Sequence, residues 1–561
     1  MTSMTGGGAV VKTLRNEDVS HVFGLIGSAG MEIFDALHCT PEIRFIGVRD
    51  ERTGTHMADG YARASGKAGV ILAGQNGPGA TNLVTGLAQA NAAYSPVVAL
   101  AGSLSSQHVY RDAFQEVDQQ ALFKAVTKKT WTATQTKRLP EMVHEAFRTA
   151  LTPRRGPVAL NLPRDILAET VEYDAGPSAW HGAPPPAGEP DAVAQAARLL
   201  AGAARPLILA GGGVKNGRTH AAVLKLAELL NAPIAMSPGH GDAVPCSHPL
   251  YAGQIGPRGN VVATDFAKRA DVILALGTRF GFNTTFYTTD NFNPQAAIVQ
   301  VETDPLALGR LVPVSVGVFG DAGVVAAQLT RELAGHDASG ARAWAAELRE
   351  KRATLMNERD EAGAKGRTQP MQPAALFAML RALAPADAMF TMDAGTLCLQ
   401  ATDQMPYVQP PALFTPLDFG LVGFSYACGL GVKLACPDRT VISLMGDGGF
   451  GMTMSEIGTA VQSDIRSICV VMNNGCWGAE KAYQRDFFDG RYIGADVPNP
   501  PYDKVAGLFG AKGFRVDDAS QFEHAFGEAL ACGKPAIIDV QIDPNALYSF
   551  RRDSFKHRTK A

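Results

Sequence analysis

Apolar residues along this chain fall in short unbroken runs, not in strict alternation. Val22-Phe23-Gly24-Leu25, Val70-Ile71-Leu72-Ala73, Val97-Val98-Ala99-Leu100 and Val158-Ala159-Leu160-Asn161 make a first group. Pro206-Leu207-Ile208-Leu209-Ala210, Asp271-Val272-Ile273-Leu274-Ala275-Leu276 and Ile298-Val299-Gln300-Val301 make a second. Val441-Ile442-Ser443-Leu444-Met445 and Ser467-Ile468-Cys469-Val470-Val471-Met472 belong to a third. A strand with no polar face is buried on both sides, as in parallel sheets covered by helices. Such runs alternating with helical stretches predict an α/β chain of three Rossmann-like domains with parallel sheets, at 1–172, 190–335 and 369–550. The proline-rich Gly182-Ala183-Pro184-Pro185-Pro186-Ala187-Gly188 reads as the first linker, and a charged helical stretch from Ala341 to Glu361 as the second. Thr5-Gly6-Gly7-Gly8 reads as a flexible lead-in. The run from Val70 to Gly79 and the run from Val441 to Phe450 echo each other as strand, glycine loop and helix.

Composition narrows the function. The chain has 561 residues, enough for about three or four domains. Its net charge of −3 gives no reason to expect nucleic acid or an anionic membrane as a partner. No apolar run reaches the roughly 18 residues of a spanning helix, and no signal-peptide pattern opens the chain. Eight scattered cysteines without CxxC spacing read as reduced thiols of a cytoplasmic protein.

The chemistry is concentrated in one run. Gly446-Asp447-Gly448 follows a buried strand, and Asn474 of the Asn473-Asn474 pair comes 27 positions after Asp447, at the end of the next strand. Two adjacent parallel strands therefore deliver a carboxylate and an amide to one sheet edge, where open α/β sheets bind ligands. Carboxylate, amide and carbonyl oxygens are hard ligands for Mg²⁺, which keeps a ligand's phosphates as co-ligands. The glycine turn and helix start behind Asp447 can receive those phosphates through backbone N–H groups.

This arrangement resembles the thiamine-diphosphate signature of the pyruvate decarboxylase and acetolactate synthase superfamily. The resemblance implies that Asp447, Asn474 and the carbonyl of Cys476 hold Mg²⁺, and that Gly448 and Gly449 offer N–H groups to the diphosphate. It implies a glutamate that relays a proton to the cofactor's aminopyrimidine. Glu51 matches it, at the start of a helix after the strand Arg44-Phe45-Ile46-Gly47-Val48. Asp50 stands where related enzymes carry histidine. Gly395 and Thr396 match a diphosphate contact, and Val422 matches the apolar wedge that bends the cofactor. The same plan implies pyrimidine-binding, central and diphosphate-binding domains, with Glu51 and Asp447 meeting only across a homodimer or dimer of dimers.

Several runs look most like sulfoacetaldehyde acetyltransferases, among them Ala113-Phe114-Gln115-Glu116-Val117-Asp118-Gln119, Trp477-Gly478-Ala479-Glu480-Lys481 and Phe550-Arg551-Arg552-Asp553. The expected reaction takes a sulfonated aldehyde and phosphate to acetyl phosphate and sulfite. Gln115 would lie beside the substrate. Lys481, Arg551 and Arg552 are candidates to hold its anions, because guanidinium groups match tetrahedral oxyanions. An acetolactate synthase-like carboligase or a 2-oxo acid decarboxylase is the alternative. FAD is weighed for the central domain at Gly253–Gly259 and Gly277–Phe280, and plain loops are preferred there.

Overall fold

The computed structural model describes residues 2–173 and 184–558, so Gly182 and Ala183 of the expected linker lie outside the described residues. Three sheets of six parallel strands organise the chain, as the unbroken apolar runs predict. In the first, the order is Arg44–Gly47, His21–Leu25, Gly69–Ala73, Val97–Ser103, Val158–Pro163, Lys129–Thr132. In the third, it is Leu413–Phe414, Met389–Met392, Val441–Gly446, Ile468–Asn473, Ala536–Gln541, Lys512–Val516. Numbered by their place in the chain, both sheets read 2-1-3-4-6-5, so the echo between the two glycine loops extends to whole topologies. The second sheet reads 3-2-1-4-5-6 instead, from Tyr251–Gln254 through Pro206–Ala210 to Val316–Phe319.

The first and third units share a core. The helix Glu51–Ser65 lies against the helix Ser425–Ala435 so closely that a Cβ on Gly431 would stand 1.9 Å from the Met57 carbonyl oxygen. One continuous apolar cluster joins Phe23, Ile71 and Leu87 of the first unit to Tyr426, Phe450 and Tyr502 of the third. Lys215 of the second unit is buried and pairs with Asp242 at 2.9 Å, and Asp242 accepts from the backbone N–H groups of Ala412 and Leu413. Removing one partner of such a pair would strand a buried charge, so this joint fixes the second unit on the third.

One expectation is corrected. Thr5-Gly6-Gly7-Gly8 is not a lead-in: Thr2–Thr5 pairs antiparallel with Thr170–Tyr173, and Gly6 opens a helix that runs to Asn16. The Thr5 hydroxyl accepts from Gly8 N as N-cap. Gly6 and Gly7 are buried, and a Cβ on either would reach 2.4 Å from Ile166 O or from the Glu32 backbone. The glycines serve close packing there.

Among the described residues no helix is long and apolar enough to cross a membrane, and all eight cysteines are free thiols.

Candidate active site

The third sheet changes winding direction between Met389–Met392 and Val441–Gly446, which puts a crevice at their carboxyl ends. Gly395 and Thr396 follow the first of these strands, and Asp447 the second. Asp447 is buried; its Oδ2 accepts from Asn499 Nδ2 at 2.6 Å, and its carbonyl from the Tyr502 hydroxyl at 2.9 Å. The Asn474 side-chain oxygen stands 3.1 Å from Asp447 Oδ1 and 3.2 Å from the Cys476 carbonyl oxygen. Three facing oxygens repel. An amide so placed either turns to donate to both neighbours or lends its oxygen to a cation held among the three. Adjacent ligands of an octahedral Mg²⁺ with bonds of about 2.1 Å lie about 3 Å from one another, so the spacing fits. Thr396, just after the strand Met389–Met392, adds a buried hydroxyl with no hydrogen-bond partner among the described residues. A diphosphate oxygen would satisfy it.

Two glycines of the turn are fixed by close approach. A Cβ on Gly448 would come within 2.6 Å of the Trp477 ring, and one on Gly449 within 2.6 Å of Asp393 Oδ2 and 3.3 Å of Val422 Cγ1. Asp393 is a residue that no sequence motif picked out. It is buried and accepts from Ala394 N at 2.8 Å and from Gly423 N at 2.9 Å. One carboxylate thus ties the end of a strand to the loop carrying Val422, beside Gly449. Burial pushes its pKa up to about 6. Asn499 and Tyr502 were missed too, because no local motif links them to Asp447.

Glu51 belongs to a second constellation, on the first unit. It is 3% exposed, its Oε2 accepts from Asn82 Nδ2 at 3.0 Å, and burial raises its pKa. Asp50 caps the helix, accepting from Arg52 N at 2.7 Å. The position usually held by histidine thus serves the helix start. A Cβ on Gly79 would meet Glu51 Oε1 at 3.0 Å and Gln75 Cβ at 3.4 Å, and Gln75 Nε2 donates to Gln115 Oε1. Glu51 and Gln115 therefore lie along one face through Gly79 and Gln75. Phe114 and Tyr110, in the loop beside Gln115, are 82% and 95% exposed in the single chain. Glu51's neighbours do reach the third unit: Arg49 N and the Thr53 hydroxyl donate to the buried Glu456, and Arg52 to Met452 O. The Glu51 carboxylate itself takes its side-chain hydrogen bond from Asn82 of the first unit.

The three basic candidates separate. Lys481 pairs with Asp496 and lies 5.5 Å from the Tyr492 ring. Arg552 is exposed. Arg551 lies over Phe282 of the second unit, 4.7 Å from the ring centroid. There it lines a cavity of about 940 Å³ at the carboxyl ends of the second sheet, together with Gly212, Thr278, Arg279, Asp304 and Arg258. Of the segments weighed for FAD, Arg258 of the first and Gly277, Thr278 and Arg279 of the second line this cavity, as do Arg154 and Asp304, which form an ion pair of 2.9 Å.

Family models match three stretches of the chain: the thiamine pyrophosphate enzyme N-terminal binding domain at 4–122, the central domain at 193–329 and the C-terminal binding domain at 393–540. A sulfoacetaldehyde acetyltransferase of Alcaligenes xylosoxydans xylosoxydans is 36% identical, over 98% of this chain and 95% of that protein. The chain belongs to the thiamine pyrophosphate enzyme family. Similar thiamine pyrophosphate enzymes include a probable acetolactate synthase large subunit of Methanococcus aeolicus, 31% identical over 97% of this chain and 93% of the relative. Another is the acetolactate synthase isozyme 3 large subunit of Escherichia coli (strain K12), 31% identical over 97% and 96%. Thiamine pyrophosphate and thiamine diphosphate are one compound. As a member of this family the protein is a thiamine-diphosphate-dependent enzyme.

Proposed function

We propose that the protein is a Mg²⁺-dependent acetyltransferase that converts sulfoacetaldehyde and phosphate to acetyl phosphate and sulfite. The observation that carries the cofactor half is the convergence of the Asp447, Asn474 and Cys476 oxygens at the Gly448-Gly449 turn. The substrate half is supported by sulfoacetaldehyde acetyltransferase relatives that span nearly the whole chain. Bound thiamine diphosphate supplies a carbon nucleophile for the aldehyde. Asp447, Asn474 and the Cys476 carbonyl would hold Mg²⁺, Gly448 and Gly449 would offer backbone N–H groups to the diphosphate, and Val422 would pack against the cofactor. Glu51, kept protonatable by burial, would exchange a proton with its aminopyrimidine. Gln115 orients the substrate. The net reaction is balanced without an oxidant. The C–S bond breaks with its electron pair leaving on sulfite; the aldehyde carbon rises to the acyl level as the neighbouring carbon takes a proton and falls to a methyl group, and a phosphate oxygen takes the acyl group. No flavin is needed for that balance.

We assign the Glu51 and the Asp447 cluster of each active site to two copies of the chain, in a homo-oligomer built from dimers that works in the cytoplasm. The units 1–172, 190–335 and 369–550 are taken as the pyrimidine-binding, central and diphosphate-binding domains. The deciding experiment supplies the purified protein with thiamine diphosphate, Mg²⁺, sulfoacetaldehyde and phosphate, and follows both products. Acetyl phosphate and sulfite in equal amounts are expected. A protein that binds the cofactor yet makes neither, and instead consumes pyruvate to acetolactate, would replace this reading with a carboligase.

A further inference from the structure

Two of the three oxygens proposed for the metal are backed by one stretch of chain that no motif singles out, from Ala495 to Tyr502. Its first part pairs with the loop that carries Cys476. Trp477 N donates to Ala495 O at 2.7 Å and Val497 N to Gly475 O at 2.8 Å, on either side of an antiparallel bridge between Cys476 and Asp496. In such a pairing the two bridged residues turn their own N–H and C=O groups away from the facing strand. The Cys476 carbonyl is thereby left to face Asn474, whose side-chain oxygen stands 3.2 Å from it. The second part reaches Asp447. Asn499 Nδ2 donates to Asp447 Oδ2 at 2.6 Å, and the Tyr502 hydroxyl shares its proton between Asn499 Oδ1 at 2.8 Å and the Asp447 carbonyl oxygen at 2.9 Å. The reverse orientation of the amide would set its oxygen against a carboxylate oxygen. Pro500 and Pro501 separate Asn499 from Tyr502, and their ring-locked torsions stiffen the span. Tyr502 is itself fixed: it is buried, its ring packs edge-on against Phe450 at 4.9 Å, and its N–H donates to Asp539 Oδ2 at 3.3 Å.

The two carboxylate oxygens of Asp447 therefore have different duties. Oδ2 is taken by Asn499, and Oδ1 stands 3.1 Å from the Asn474 side-chain oxygen. We infer that Asn499 is a positioning residue of the metal site, which makes Asp447 a one-oxygen ligand and so fits the site to Mg²⁺ over Ca²⁺. This rests on the reading of Asp447 as a metal ligand and not on the choice of substrate. Mg²⁺ demands a near-ideal octahedron with bonds of about 2.1 Å, and the two oxygens of one carboxylate lie too close together to fill adjacent corners of it. Ca²⁺ takes about six to eight oxygens at longer range and accepts both oxygens of one carboxylate. Freed of Asn499, Asp447 can offer both, which suits the larger ion.

The test follows thiamine diphosphate binding by calorimetry over a series of Mg²⁺ and, separately, Ca²⁺ concentrations. It compares wild type, Asn499→Ala and Tyr502→Phe, all stripped of cofactor. Tyr502→Phe keeps the ring on Phe450 and removes only the hydroxyl that orients the amide. The Mg²⁺ concentration for half-maximal binding should rise by about 10- to 100-fold in Asn499→Ala, as for other partners of metal ligands, and by a smaller factor in Tyr502→Phe. The Ca²⁺ requirement should rise less, so that both variants shift their preference toward Ca²⁺. A merely structural role would weaken binding with both metals equally. Equal losses with the two metals, or an unchanged Mg²⁺ requirement in both variants, overturn the inference. If Asn499→Ala does not fold, Tyr502→Phe decides on the same criteria. Wild type that binds the cofactor without any divalent cation would instead overturn the reading of Asp447 as a metal ligand, and the inference with it.

Discussion

The burial that suits Glu51 to the proposed proton exchange has a stability cost that can be measured. Its folded pKa lies above the 4.5 of an unfolded glutamate, chiefly through desolvation. The folded state therefore holds the proton more tightly, and the stability it gains from this is complete below pH 4.5 and lost as pH rises through the raised value. Glu51→Gln keeps the bond from Asn82 and has no charge to desolvate. The cofactor-free variant should melt above wild type at pH 8, with the gap closing below pH 4.5, while activity falls by about 10²- to 10⁴-fold. A lower melting point at pH 8 would count against a desolvated carboxylate. Asp447→Ala should abolish Mg²⁺-dependent cofactor binding at concentrations that saturate wild type. Trp477, packed on Gly448, is the natural fluorescence reporter, and an unaltered quench would remove Asp447 from the metal site. Asp447 and Asn474 were legible in the sequence because each ends an apolar strand within one contiguous motif. Asp393, Asn499 and Tyr502 were not, since each reaches the site through a side chain whose partner is remote in sequence.

The element that most constrains the molecule is the helix pair Glu51–Ser65 and Ser425–Ala435. Their contact depends on missing side chains: a Cβ on Gly60 would stand 2.3 Å from Cys428 O, and one on Gly431 1.9 Å from Met57 O. Both neighbours are backbone and cannot swing aside. Gly431→Ala should destabilise by about 3 kcal/mol or more, read as a lowered urea midpoint, because overpacking here must push the helices away from each other. A neutral substitution would mean the helices tolerate a wider spacing. Strands were the most legible elements, since an apolar run as short as Val70–Ala73, bounded by polar and turn residues, has few other uses. Thr5–Gly8 was misread for the opposite reason: three glycines look flexible locally, and only the approach of Ile166 and Glu32 shows why they are small.

At the scale of the whole molecule, the two constellations lie on separate sheets of one chain. If each active site takes Glu51 from one subunit and Asp447 from another, two inactive variants can repair each other. Glu51→Gln mixed with Asp447→Ala, after subunit exchange at equal amounts, should regain about a quarter of wild-type activity, because half the dimers are mixed and each has one intact site. No recovery after verified exchange would place both residues in one subunit's site. The shared 2-1-3-4-6-5 strand order then has a further consequence. The unit that carries Glu51 and the unit that carries Asp447 are two forms of one topology, carried on one polypeptide. Translation itself therefore supplies them in equal numbers, and every closed pairing of subunits leaves neither half in surplus.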